Sequence, residues 1–282
     1  MTISNKIKFG DVTILVNTCD LYHDVWPLFF AALNEYWPNR SYDLLLNTEK
    51  RSAEGIKVHN FLAINGNNSW GLRLRETLES IKTKYVLALY DDFIVEATIN
   101  ESELQNIITK MNEDESIAVI YLTELGLKTQ KIIEDDSKYV LLEDYIDFRL
   151  NSAPALWRRE DLLRYTGPHD NPWAWEVFGS YRTYGDGKKM YSPSSPANDV
   201  YIYNHKKGGA IYRGKWVAEV VVEKNKKYNL NIDFTKRGFS FENDYEKRSF
   251  SWKVNFVLLG FKMVGFKSLL FLLRTLKVKL HV

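Results

Sequence analysis

Three carboxylates stand out by type and setting: Asp91, Asp92 and Glu176. Asp91 and Asp92 close the run Lys84-Tyr85-Val86-Leu87-Ala88-Leu89-Tyr90, which continues into Phe93-Ile94-Val95. Its β-branched, aromatic and aliphatic residues suit a strand buried on both faces of a mainly parallel sheet. Open α/β sheets bind ligands at the carboxyl ends of their strands. Two adjacent acids there repel each other unless solvated, hydrogen-bonded or neutralised by a cation such as Mg2+ or Mn2+. A metal that also grips a diphosphate is one reading of the pair; an acidic turn after a strand is the other. Glu176 ends the block Asn171-Pro172-Trp173-Ala174-Trp175-Glu176. With Asn171 as cap and Pro172 at the first position, the block predicts a helix running towards Arg182, Glu176 about one turn in. Trp173 and Trp175 offer aromatic faces to sugar rings, and a carboxylate beside them can bind or deprotonate a hydroxyl. The same pattern also describes two core tryptophans and a solvated acid.

Further candidates flank these. Thr18 and Asn47 fall at predicted strand ends and could contact a nucleotide base. Residues 183–215, rich in Gly, Pro, Ser, Tyr and Lys, read as a long mobile loop. It ends in Tyr203-Asn204-His205-Lys206-Lys207-Gly208-Gly209-Ala210, followed by Arg213 and Lys215. Glycines let backbone amides approach a ligand and clustered cations neutralise phosphates, so such a loop could close over a nucleotide, or be simply an exposed basic loop. His205 is either a metal ligand or a surface histidine.

The elements that must position these groups alternate. Asp11–Asn17 reads as a strand, Asp24–Trp37 as a helix with Pro27 in its first turn, Tyr42–Leu46 and Ile56–Ile64 as strands. Ser69 can cap a helix from Trp70 to about Ile81 that carries Arg73, Asn100 a helix over Glu101–Met111, and Ile117–Leu122 reads as a strand. Gly126–Asp147 is charged and irregular, a hairpin or excursion, and Leu150–Arg158 approaches a short helix at Arg159–Tyr165. Alternation of this kind is the signature of βαβ units.

With 282 residues, 45% hydrophobic and 14% aromatic, the chain can bury a large core. A net charge of +2 gives no argument for nucleic-acid binding. The lone Cys19 excludes an internal disulfide and a cysteine-rich zinc site, and fits a reducing compartment. The N-terminus lacks the apolar core of a signal peptide, so a cytoplasmic location is expected. Nothing after Glu246 is acidic, and residues 250–282 mix Phe, Leu and Val with Lys253, Lys262, Lys267, Arg274, Lys277 and Lys279. That charge density makes a poor spanning helix. Interfacial helices against an anionic membrane, or helices packed on the domain or on a second subunit of a homo-oligomer, are the two expectations.

Together the first strand, the Trp70 helix leading into Tyr85–Phe93, the Asn171–Glu176 block and the late glycine-rich loop resemble a GT-A-fold, family-2-like nucleotide-sugar glycosyltransferase of bacterial polysaccharide biosynthesis. The resemblance covers roughly residues 10 to 220. It implies an α/β, Rossmann-like, mainly parallel sheet flanked by helices, a catalytic domain over 1–249 with a nucleotide-sugar half to about 125 and an acceptor half over 126–249; it leaves 250–282 unexplained, and that segment is expected from its own residues to be a helical extension. It implies transfer of a sugar from a nucleotide-diphosphate donor to a hydroxyl of a glycan or lipid-linked acceptor, assisted by Mn2+ or Mg2+; the basic C-terminal segment adds the expectation of a peripheral place on the inner face of the cell membrane. Asp92 takes the metal position of the family's Asp-X-Asp element, with Tyr90 where the first acid is usual; Asp91 and His205 are further ligand candidates. Glu176 takes the place of the general base of inverting members. Thr18, Asn47, Trp70, Arg73, Asp91, Arg213 and Lys215 would hold the donor, and Trp173 and Trp175 the acceptor. A retaining or metal-independent transferase, and a non-catalytic sugar-binding protein using Trp173, Trp175 and Trp216, are the alternatives. No Gly-X-Gly-X-X-Gly follows the first strand and no Gly-X-Ser-X-Gly occurs, which counts against dinucleotide oxidoreductases and serine hydrolases.

Overall fold

The computed structural model describes residues 11–53, 59–62, 69–130, 138–205, 208–241 and 248–280. Its first half follows the alternating pattern: β1 (Val12–Asn17), α1 (Trp26–Tyr36), β2 (Asp43–Thr48), β3 (His59–Leu62), α2 (Trp70–Ser80), β4 (Tyr85–Tyr90), α3 (Glu101–Glu113) and β5 (Ile117–Tyr121). The caps are those the side chains dictate. Ser69 accepts the Leu72 N–H and Asn100 the Glu103 N–H, each satisfying a donor that the first helical turn leaves open. The ends of the predicted Ile56–Ile64 strand lie outside the described residues.

The second half adds β6 (Thr129–Gln130), β7 (Tyr139–Leu142), β8 (Ala155–Arg158), α4 (Arg159–Tyr165), α5 (Pro172–Val177), β9 (Lys189–Pro193), the small hairpin β10 (Ile211–Tyr212) and β11 (Lys215–Trp216), α6 (Ala218–Tyr228), α7 (Phe250–Val264) and α8 (Leu269–Leu280). Nine strands form one sheet in the order β3-β2-β1-β4-β8-β5-β9-β7-β6. β3, β2, β1 and β4 are parallel, and β8 is inserted antiparallel between β4 and β5. The expected nucleotide and acceptor halves therefore share one sheet.

β4 is an interior strand and alternates between two cores. Leu87 and Leu89 join the core with α1 and α3, while Val86 and Ala88 face the one with α2 and β8. Burial on both faces is why its sequence is continuously apolar. The chain leaves β1 towards β2 on one side, and β4 lies on the other, so the strand order reverses between β1 and β4. That reversal opens a crevice at their carboxyl ends, beside Asn17-Thr18 and Asp91-Asp92.

Two expectations change. Residues 183–215 are not one long loop, because β9 pairs parallel with β5 and buries Met190 and Tyr191. The helix opened by Asn171 ends at Val177 and resumes as a tight 3-10 turn over Gly179–Arg182.

The C-terminal extension docks on the domain. Phe178, just after α5, packs its ring on Phe256 of α7 at 4.9 Å and on Phe271 of α8 at 5.2 Å. Phe256 and Phe271 themselves meet at 6.1 Å, whereas fifteen residues of straight helix would separate them by about 22 Å. The chain therefore folds back at Gly265, whose φ of 58° needs no Cβ. Arg274 ties α8 down through Asp147, the Tyr184 hydroxyl at 2.8 Å and the Tyr145 carbonyl at 2.7 Å. Charge count proved too strict a test of this segment, since Phe250–Arg274 is long and apolar enough to cross a membrane by length and composition, with mean hydropathy 1.9. As folded, it is a broken hairpin rather than a rod about 30 Å long.

Candidate active site

A cavity of about 640 Å3 opens at the carboxyl ends of β1, β2 and β4. Asn17, Thr18, Cys19 and Tyr22 come from the exit of β1, Glu49 from that of β2, and Tyr90, Asp91, Asp92 and Phe93 from that of β4. Trp70 and Arg73 of α2, Asn151 and Ser152, Pro172 and Glu176 of α5, and Tyr203, His205 and Gly208 complete the wall. Seven separate segments of the chain thus converge where the sheet topology places a crevice.

The two aspartates sit differently. Asp91 is buried, and its Oδ2 accepts the Thr18 hydroxyl and the Trp26 indole N–H, the latter at 3.1 Å. Burial, then the neighbouring Asp92 charge, pushes its pKa well above the usual carboxylate range, against those two hydrogen bonds. Asp92 is partly exposed to the cavity, and burial raises its pKa to about 7. Asp91 is therefore tied to β1, and Asp92 is the acid of the pair that is partly open to the cavity.

Across the cavity, Glu176 stands on α5, whose start is fixed by the Asn171 side chain accepting the Ala174 N–H at 2.8 Å. Both the Ser152 N–H, at 2.7 Å, and the Ser152 hydroxyl donate to its Oε1. Burial raises the Glu176 pKa in spite of those bonds, which moves the group towards the range where a general base works at neutral pH.

Arg73 supplies the fixed positive charge. It is 3% exposed, pairs with Glu49 at 3.1 Å, and donates to the Thr18 carbonyl at 3.1 Å. Glu49 is held in turn by Asp20, whose carboxylate accepts the Glu49, Lys50 and Arg51 N–H groups at 3.1–3.2 Å. Burial acts to raise the Asp20 pKa, and those three amides overcome it and lower it.

The glycine-rich segment meets the acid pair through its backbone. The Ala210 N–H donates to the Asp92 carbonyl at 2.7 Å, and Gly209, with φ of +128°, lies so close that a Cβ would fall 2.6 Å from that oxygen. Gly209 thus supports the Asp92 turn, while Gly208 lines the cavity.

The described wall carries four carboxylates, Glu49, Asp91, Asp92 and Glu176, against the single guanidinium of Arg73 and the imidazole of His205. An acid excess repels an anionic ligand unless a cation accompanies it. Hard oxygen donors at Asp92 suit Mg2+ or Mn2+, with the remaining positions open to water and phosphate oxygens. Among the described residues, no three His, Cys, Asp or Glu side chains form a metal cluster, so His205 lines the cavity without joining the aspartates as a third ligand.

No family model matches the sequence, and no curated protein matches it. The structure is similar to that of residues 1–349 of TarS from S. aureus, with a TM-score of 0.50 and 12% identity over 92% of this chain and 82% of that one. The fold is GT-A. The same TarS fragment in complex with UDP-GlcNAc gives a TM-score of 0.49 at 13% identity, over 88% and 79% of the two chains. A mannosyltransferase from Pyrobaculum calidifontis in complex with GDP-Man and Mn2+ gives 0.41 at 14% identity, over 64% and 53%.

Within this GT-A fold, the candidates Thr18, Trp70, Arg73, Asp91, Asp92, Glu176 and His205 all line the cavity. Five other candidates lie elsewhere. Asn47 is fully buried and donates to the Asn17 side chain at 3.1 Å, so it braces a lining residue instead of reaching a base. Trp175 is a core residue, 2% exposed, packed on Trp157 and Trp70 with its N–H given to the Tyr165 carbonyl at 3.2 Å. Trp173 is 52% exposed and tilts against Phe148, outside the cavity wall. Arg213 and Lys215 belong to the β10–β11 hairpin and do not line the cavity either. With Trp216 also fully buried, the three-tryptophan surface of a sugar-binding protein does not form.

Glu49, Tyr22, Ser152 and Tyr203 were not read from the sequence. Glu49 follows β2 directly, and the rule that singles out Asp91 and Asp92, an acid at a strand's carboxyl end, would have found it. Tyr203 carried no such signal, because its ring reaches the site by stacking on Phe93 at 4.7 Å.

Proposed function

We propose that this chain is a nucleotide-sugar-dependent glycosyltransferase that inverts the anomeric centre, with Glu176 as general base and Asp92 as the protein ligand of a divalent metal. The observation that carries this reading is that Asp92, at the exit of β4, and Glu176, on α5, line one cavity of the GT-A fold, each with burial raising its pKa. Asp92 would hold the cation, which when bound neutralises the donor diphosphate and the departing nucleotide. Arg73, fixed by Glu49, adds positive charge beneath the same site. Thr18 and Asp91 fix the exit of β1 against that of β4, keeping the donor subsite in shape.

On the other wall, Ser152 holds Oε1 and leaves Oε2 of Glu176 to accept the proton of an acceptor hydroxyl as its oxygen attacks the anomeric carbon. The acceptor is a glycan or lipid-linked hydroxyl, entering beside Pro172 and the exposed Trp173. The test is turnover of a nucleotide-sugar panel with and without Mn2+, with product NMR for stereochemistry. Transfer with inversion that Glu176→Gln abolishes supports the reading. Donor turnover absent across the panel, or unaffected by Glu176→Gln, overturns it; activity in chelator removes the metal alone.

A further inference from the structure

The C-terminal hairpin has two faces of different fate. Its inner face, Phe256, Gly260 and Met263 of α7 with Phe271 of α8, packs on Phe178 and its neighbours. Among the described residues nothing covers its outer face in that way: Phe250 is 81% exposed, Leu258 59%, Phe266 85% and Leu273 57%, with Val254 and Leu269 between them. Phe250, Val254 and Leu258 recur every fourth residue and so share one stripe of α7; Leu269 and Leu273 repeat that spacing on α8. Large apolar side chains concentrated in this way mark an interaction surface.

The charge around the stripe says what the partner is. Eight Lys and Arg and no Asp or Glu follow Glu246, so this tail carries +8 while the preceding residues carry −6, within a net +2. Lys253 and Lys262 are exposed on the same helix as the stripe. A second copy of the chain would bring +8 against +8, which disfavours self-association through this face. An apolar stripe flanked by cations matches the acyl and headgroup layers of an anionic bilayer, since lysine stems lie along the apolar layer while their ammonium groups reach the headgroups.

We infer that the outer face of the α7–α8 hairpin docks in the interfacial layer of an anionic lipid membrane. The inner face fixes how the domain then sits. Phe178 directly follows α5, and α5 carries Glu176, so the membrane-facing hairpin and the cavity share one helix as their wall. The docking itself does not rest on the transfer reaction, and it is measured without a substrate.

The experiment is co-sedimentation of the full chain with vesicles of phosphatidylcholine plus phosphatidylserine, against phosphatidylcholine alone. Binding is expected to the anionic vesicles, falling with added salt, and to be about tenfold weaker or worse in Leu258→Glu/Phe266→Glu, which changes two exposed side chains. Should that variant misfold by circular dichroism, Lys253→Glu/Lys262→Glu serves instead and is expected to lose the anionic preference. Wild-type chain left in the supernatant overturns the inference. So does unchanged binding of the folded variant, or a dimer in light scattering that the variant abolishes.

Discussion

Ser152 donates two hydrogen bonds to a single oxygen of Glu176, from its backbone N–H and from its hydroxyl. The backbone bond fixes where the carboxylate points and survives mutation, while the hydroxyl bond favours the charged form and opposes the burial that raises the pKa. Ser152→Ala should therefore move the acid limb of the kcat/KM profile to higher pH and lower the rate most on the acid side. Glu176→Gln should cost about 10²- to 10⁴-fold in kcat at every pH. A pH profile unmoved by Ser152→Ala would show that the serine only shapes the loop.

Asp92 predicts a conflict between stability and function. Its pKa is about 7 in the folded chain against 3.8 as the ordinary value, so between these the folded state binds more protons than the unfolded one. That contribution is complete below the lower value and is lost as pH rises through the higher. The ligand-free protein should thus melt at a lower temperature at pH 8 than at pH 6, and Asp92→Asn should flatten this difference while abolishing transfer. A cation and a nucleoside diphosphate need the ionised acid, so their stabilising effect in a thermal shift should grow from pH 6 to pH 8 in the wild type and be absent in Asp92→Asn. A melting profile that Asp92→Asn leaves unchanged would mean that the acid is solvated and its burial unimportant.

What the sequence made legible follows from range. β4, the Ser69 and Asn100 caps and the Asn171-Pro172 helix start depend on residues within a few positions of one another, and each formed where expected. Once the alternation implied a parallel sheet, the strand-end rule gathered Thr18, Asp91 and Asp92 without any knowledge of side-chain contacts. β9 was illegible because Lys189-Met190-Tyr191-Ser192-Pro193 lies among glycines and serines, and its pairing with β5, some seventy residues earlier, and with β7 makes it a strand. Trp175 and Trp173 are two residues apart, and a helix turns them to different sides, so one became core and the other surface. No local pattern distinguishes which.

Gly209 offers a test of the turn that presents Asp92. Its φ of +128° is foreign to residues with a Cβ, and the added carbon of Gly209→Ala would meet the Asp92 carbonyl at 2.6 Å and the Phe93 ring at 3.0 Å. Backbone, not a flexible side chain, is the nearer obstacle, so the segment must withdraw and break the 2.7 Å bond from Ala210 to Asp92. The strain is about 1–3 kcal/mol. Donor affinity should fall more than global stability, because the displaced atoms are those of the Asp92 turn. Gly208→Ala, where a Cβ meets nothing within 4 Å, provides the comparison, with only the cost of its φ of +85°. Calorimetric melting and donor titration read the two effects separately.

Gly260 is a point of tight approach between the hairpin and the catalytic body. A Cβ there would fall 2.5 Å from the Phe178 ring, and that ring is fully buried between Phe256 and Phe271, so it has nowhere to turn. Gly260→Ala should therefore push α7 away from α5 at a cost of about 1–3 kcal/mol, and Phe178→Ala should loosen the same contact from the other side by about 3–5 kcal/mol. In both variants limited proteolysis should release the tail before the body unfolds, because the body's own sheet and its two cores make no use of that contact. Because α5 carries Glu176, kcat should fall in step with the detachment, whereas Leu258→Glu on the outer face should leave kcat for a soluble acceptor unchanged. Coincident loss of tail and body in a single cooperative transition would instead make the hairpin an integral part of the catalytic fold.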